Sequence, residues 1–114
     1  MLKSFALLVC FGFVYSLSAQ SNGSVNASGL LQVNNGPWQT EFRIDLSSAP
    51  VASDESLYRQ YLGKYISALG SNATWRFDAP ARVAYLKVER SNSLMPGDLN
   101  AEKLNYFLKS VYEN

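Results

Sequence analysis

The chain has no histidine, and its one cysteine is Cys10. Without imidazole there is no Ser-His-Asp or Cys-His nucleophile pair, no ordinary zinc site, and no side chain of the kind that most often acts as general base near neutral pH. A basic excess is lacking as well: ten Lys and Arg stand against nine Asp and Glu, for a formal net charge of +1. Nucleic-acid binders cluster positive charge on one face, and membrane-surface binders carry polybasic runs. Neither pattern occurs, so neither nucleic acid nor a membrane surface is expected as a partner. Calcium loops, phosphate loops, a G-x-S-x-G elbow and an S-x-x-K pair are all missing, and no cofactor or metal is expected.

The N-terminus carries the most specific signal. Lys3 precedes an uncharged apolar run from Phe5 to Tyr15, and Ser16-Leu17-Ser18-Ala19 supplies small residues. That order is the one a cleavable signal peptide needs. The run is too short for a spanning helix, which takes about 20 apolar residues. Cys10 follows Val9 rather than a small residue, which argues against lipidation there. Cleavage after Ser18 sets serines at both small positions, whereas cleavage after Ala19 gives the better final residue. Residues 1–19 are therefore expected to direct export. Their removal would take away the only cysteine and Lys3, leaving a charge-balanced domain with no thiol and no disulfide. Periplasmic or secreted localisation follows, with no stable membrane insertion after cleavage, and the missing disulfides favour a periplasm.

Residues 20–28 are small, polar and aperiodic and read as a flexible leader, with a single domain over 29–114. Leu31 and Val33 suggest a short strand, and Asn34-Asn35-Gly36-Pro37 a turn. From Trp38 to Leu46 the period is two: Trp38, Thr40, Phe42, Ile44 and Leu46 alternate with Gln39, Glu41, Arg43 and Asp45, as a half-buried antiparallel strand requires. Ser53, Asp54 and Glu55 announce a helix start. Tyr58, Tyr61, Leu62, Tyr65 and Leu69 then follow at helical spacing up to a stop at Gly70. Residues 73–78 and 82–90 give a second pair of strands. Leu104, Phe107, Leu108 and Val111 mark a last helix over about 100–112, capped by Asp98 or Asn100. The fold class expected is α+β, in the order β-β-α-β-β-α, as a two-layer domain with a four-stranded antiparallel sheet and two helices on one face.

Functional candidates are aromatic. Tyr58, Tyr61 and Tyr65 make a stripe suited to partner contact, or equally the rim of the core face. Trp38 and the stretch Trp75-Arg76-Phe77 offer a sugar-stacking or aromatic-binding surface, or core. Glu41, Arg43 and Asp45 form a charged ladder, read as a solvated face because Arg43 sits between the acids. The sequons at Asn22, Asn26 and Asn72 are acceptors only in a eukaryote. The expected function is a small exported non-enzymatic binding or accessory protein, with an unknown protein or small ligand as partner, engaged through helix aromatics or an open sheet edge. The alternatives are a carboxylate-dependent enzyme acting on an extracytoplasmic substrate such as carbohydrate, which needs two carboxyls about 5–10 Å apart in a cleft, and a subunit of a larger envelope assembly, which needs a large exposed apolar patch.

Overall fold

Along the described strands drier and wetter residues alternate, with buried Val83 the exception on the outer face, and the dry faces coincide. The computed structural model describes residues 21–89 and 100–114. The expected export signal over 1–19, the loop with Pro96-Gly97 and the alternative cap Asp98 lie outside the described residues. Among the described residues five strands are formed: β1 (Gly23–Val25), β2 (Leu31–Val33), β3 (Phe42–Asp45), β4 (Ala73–Asp78) and β5 (Val83–Val88). The helices are α1 (Glu55–Tyr61), α2 (Gly63–Leu69) and α3 (Ala101–Glu113), with a 3₁₀ turn at Gly70–Asn72. The strands lie in the order β2-β1-β3-β5-β4. The class is α+β.

Register aligns the apolar positions. Phe42 and Trp75 both pair with Leu86, while Ile44 and Phe77 both pair with Ala84. Val25 pairs with Leu31, and Gly23 with Val33 on one side and Ile44 on the other. This face packs against Tyr58, Leu62, Tyr65, Leu69, Ala101, Leu104 and Leu108 of the helices in one core cluster. Ser24, Gln32, Arg43, Asp45, Thr74, Arg76, Asp78, Tyr85 and Lys87 fall on the opposite face by the same alternation. The helices therefore cover a single face, as the sequence suggests.

Three details correct the expectation. First, the sheet has a fifth strand, β1, inside residues 20–28, where composition suggested a leader. Its segment Gly-Ser-Val has little strand propensity of its own; tertiary contacts set its conformation. A Cβ built on Gly23 would come within 2.6 Å of Ile44 Cδ1 and 3.0 Å of Gln32 O, so a larger residue there would require the Ile44 side chain to move. Second, Asn34–Pro37 does not close a hairpin between β2 and β3. The hairpin closes earlier, between β1 and β2. There Asn26 Oδ1 accepts from Ser28 N and Leu30 N, both at 3.0 Å, and Gly29 takes φ +96°. β3 then joins β1 in parallel, so the sheet is mixed rather than antiparallel.

Third, the tyrosine-bearing helix is two helices. Leu62 leaves the helical region at φ −94°, ψ 10°, immediately before Gly63. Glycine is a poor helix former with no side chain to pack, so the helix is interrupted there at small cost. The cap is Asp54, whose carboxylate accepts from Leu57 N at 3.1 Å. Asn100 caps α3 by accepting from Lys103 N at 2.8 Å. The β4–β5 hairpin forms as expected, across residues 79–82.

Candidate functional site

The five aromatic candidates separate by depth. Tyr58 and Tyr65 are fully buried, whereas Tyr61, Trp38 and Trp75 are half-buried. Tyr65 hydroxyl donates to Gly29 O at 2.6 Å and accepts from Leu31 N at 3.2 Å. Burial pushes its phenol above the usual value, with the Leu31 N–H pulling weakly the other way. Tyr58 hydroxyl lies 3.3 Å from Ser53 Oγ. Tyr61 hydroxyl donates to Asn26 O at 3.4 Å, and burial followed by the neighbouring Tyr112 raises its pKa. The stripe is therefore largely inward. Tyr61 alone of the three keeps part of its ring at the surface.

Trp38 lies before β3, which starts only at Phe42 and not at Trp38 as expected, and Trp75 lies on β4. Both pack against the core and have different ring partners. Trp38 sits edge-on to Phe42, ring centres 5.1 Å apart. Trp75 stacks on Phe77 at 6.1 Å, and Phe77 stacks on buried Tyr58 at 6.4 Å, each pair 11° from parallel. This ladder runs from the core to β4, the last strand of the sheet. Arg59 lies 4.8 Å from the Phe77 ring centre and is held by Glu55 at 2.8 Å. Across the strand, on the wet face, Arg76 lies 3.9 Å from the Tyr85 ring centre and 3.4 Å from Glu41. Phe77 and Arg76 belong to the stretch read from sequence as stacking surface or core, whereas Arg59 was not a candidate. Their proximity is created by pairing and helix docking, which no local pattern encodes.

The backbone of β4 adds a second feature. Glu89 N donates to Asn72 O at 2.8 Å, making that pair a hydrogen-bonded one. Antiparallel ladders alternate, so Thr74, Arg76 and Asp78 exchange bonds with β5, and the backbone groups of Ala73, Trp75 and Phe77 point outward. Ala73 N–H is taken by Gly70 O. Among the described residues no strand or side chain meets the outward N–H and C=O of Trp75 and Phe77.

The opposite edge is closed at three of the four outward groups of Leu31 and Val33. On β2, Val33 N donates to Asn105 Oδ1 at 2.8 Å and Val33 O accepts from Asn105 Nδ2 at 2.7 Å. The carboxamide thus imitates the peptide group of a further strand. Leu31 N is taken by Tyr65. Asn105 also donates to Asn35 Oδ1 at 3.1 Å. Sequence gave no hint of this role, because an asparagine inside a helical pattern looks like an ordinary wet position.

Six of the eight described carboxylate side chains are occupied locally, Glu102 and Glu113 being the others. Asp45 accepts from Ser47 N, Asp54 from Leu57 N and Asp78 from Ala81 N, while Glu41, Glu55 and Glu89 meet Arg76, Arg59 and Lys87. No group of three potential metal ligands occurs among the described residues. A groove of about 410 Å³ beside the start of α3 is lined by Asn35, Gly36, Asn100, Ala101 and Glu102, with a single carboxylate among them. Large exposed apolar side chains among the described residues are Leu57 and Tyr106. None of the described helices is long and apolar enough to cross a membrane.

Arg82 holds the loop that leads into α1. Its guanidinium donates to Ala49 O at 3.1 Å, Val51 O at 3.4 Å and Ser53 Oγ at 3.2 Å. Its backbone sits at φ +56°, an unfavourable region for a residue with a side chain. No protein family matches the chain, and neither a curated protein nor a solved structure does.

Proposed function

We propose that the chain is an exported, non-enzymatic binding or accessory domain that takes up its partner by strand addition at β4. The observation that carries this reading is the unpaired outward backbone of Trp75 and Phe77, at one edge of a sheet whose other edge is closed. Strand addition draws affinity from main-chain hydrogen bonds and specificity from alternate side chains. At β4 those side chains are Trp75 and Phe77 on the helix side and Thr74, Arg76 and Asp78 on the other. The buried Tyr58 supports the site from beneath Phe77, and Tyr65 serves the opposite edge. Tyr61 and Trp38 stand apart from it. Export rests on residues 1–19, and the absence of histidine and of thiol chemistry from the exported part fits binding better than catalysis.

The test is a displayed library of extended peptides screened against the purified domain, with binders mapped by amide hydrogen exchange. The expected result is slowed exchange at Trp75 and Phe77 on binding. Binders that leave those two amides unchanged, or a library that yields none, would overturn the reading.

A further inference from the structure

The geometry points to a second copy of this chain as the occupant of the β4 edge, joined about a two-fold axis through Phe77. This rests on the reading of β4 as the docking edge and goes further by naming the partner. A strand that pairs with its own copy must run antiparallel, and it must bring outward backbone groups into register.

Three registers with the axis inside Trp75–Phe77 satisfy that geometry. An axis at Trp75 sets Ala73 opposite Phe77 and needs the Ala73 N–H, which Gly70 O already holds. An axis at Arg76 sets that guanidinium opposite itself, and like charges directly across a sheet are destabilising. An axis at Phe77 avoids both faults. Phe77 exchanges its two backbone bonds with Phe77 of the second copy, and Trp75 comes opposite Ala79. The Ala79 carbonyl accepts from Arg82 N at 3.0 Å and takes the Trp75 N–H on its second lone pair. On the wet face Arg76 falls opposite Asp78, twice by symmetry. Both groups have capacity for this contact, since Arg76 meets Glu41 at 3.4 Å and Asp78 meets Ala81 N at 3.4 Å, each a long contact. On the dry face the Phe77 rings meet, each already backed by Tyr58 and Arg59. The two sheets then run on as one, with all the helices on the same side.

Backbone bonds supply the attraction, and the two charge pairs select the register. The contact is a strand edge rather than a broad face, so the dimer is weak and assembles only at high concentration.

The experiment is sedimentation velocity on the purified protein from about 1 µM to about 1 mM. A monomer–dimer equilibrium is expected, with Phe77 amide exchange slowing as the dimer fills. R76D and D78R should each weaken the dimer about tenfold, since each replaces two attractive pairs with two repulsive ones. The double variant R76D/D78R should restore it. Both side chains are at the surface, and circular dichroism checks that each variant is folded. A protein that stays monomeric throughout, or a dimer indifferent to either charge reversal, overturns the inference. If peptides still protect the Trp75 and Phe77 amides of that monomer, only the identity of the partner has failed; if they do not, the strand-addition reading has failed with it.

Discussion

The two edges of the sheet face the same physical problem and meet it differently. Outward N–H and C=O groups on a terminal strand are a template for another chain. At β2 the template is filled from within: Asn105 matches Val33 on both donor and acceptor, and Tyr65 bridges Leu31 and Gly29. At β4 the corresponding groups of Trp75 and Phe77 are left outward, between an aromatic ladder and a row of charged and polar side chains. The closed edge is part of the helix–sheet interface. It draws its stability from that interface, so damage there should unfold the protein. The open edge contributes little to the isolated fold, and damage there should alter only what the protein meets.

The hardest test of this contrast is Asn105→Ala. It removes three hydrogen bonds and strips Val33 of partners for both its N–H and its C=O. A partly buried polar group left unpaired loses more than the bond was worth, and a destabilisation of about 3 kcal/mol is expected in urea unfolding. Asn105→Asp keeps the acceptor and loses the donor, so it should fall between. A loss below about 0.5 kcal/mol, the ordinary range for surface substitutions, would mean that the β2 edge is not closed by this side chain.

Tyr65→Phe attacks the same edge more gently, with an expected cost of about 2 kcal/mol from two unpaired backbone groups. It also has a pH signature. The fold favours the protonated phenol, whose pKa is raised above 10.0 by burial. A raised folded pKa gives stability that is fully present below the unfolded value and lost as pH rises through the folded one. Stability should therefore be flat near neutrality and fall above about pH 10. In Tyr65→Phe that alkaline slope should be shallower, with a remainder from Tyr61. An unchanged slope would remove Tyr65 from the account.

Much of this fold is legible in the sequence because its main strands and helices are strongly periodic. Phe42, Ile44 and Leu46 alternate with polar residues and are buried. Leu104 and Leu108 recur at helical spacing and are buried too. β1 could not be read, because Gly23-Ser24-Val25 has one apolar residue and adopts strand form only where Ile44 and Val33 receive it. The parallel pairing of β1 with β3 is likewise a long-range outcome with no local mark. For the site, Trp75 could be singled out by its alternation, but its significance could not. Whether an aromatic on a strand lies at the centre of a sheet or at its edge depends on strand order, and strand order is set by how the hairpins meet. Tyr58 and Tyr65 fit the stripe expected of them, and depth alone separates them from Tyr61.

Hydrogen exchange compares the two edges in a single experiment. Leu31 and Val33 amides, though outward from β2, have side-chain acceptors and should exchange slowly. Trp75 and Phe77 amides lie in a strand of similar regularity and should exchange quickly in the monomer, because exchange follows the hydrogen bond rather than the strand label. In Asn105→Ala the Val33 amide should join the fast class, while Trp75 and Phe77 stay as they were. Equal protection at both edges in a dilute monomer would erase the distinction.

The smallest effect is expected from Arg76→Ala. Its side chain is 62% exposed, its ion pair with Glu41 spans 3.4 Å, and Glu41 is itself 41% exposed. A pair so solvated is worth little, and the contact with the Tyr85 ring adds a modest amount, so the isolated domain should lose no more than about 1 kcal/mol. Arg76 stands in the middle of the open edge, as Asn105 stands beside the closed one. A loss from Arg76→Ala as large as that from Asn105→Ala would make β4 a structural edge like β2. The unpaired backbone of Trp75 and Phe77 would then need another explanation than readiness for a partner strand.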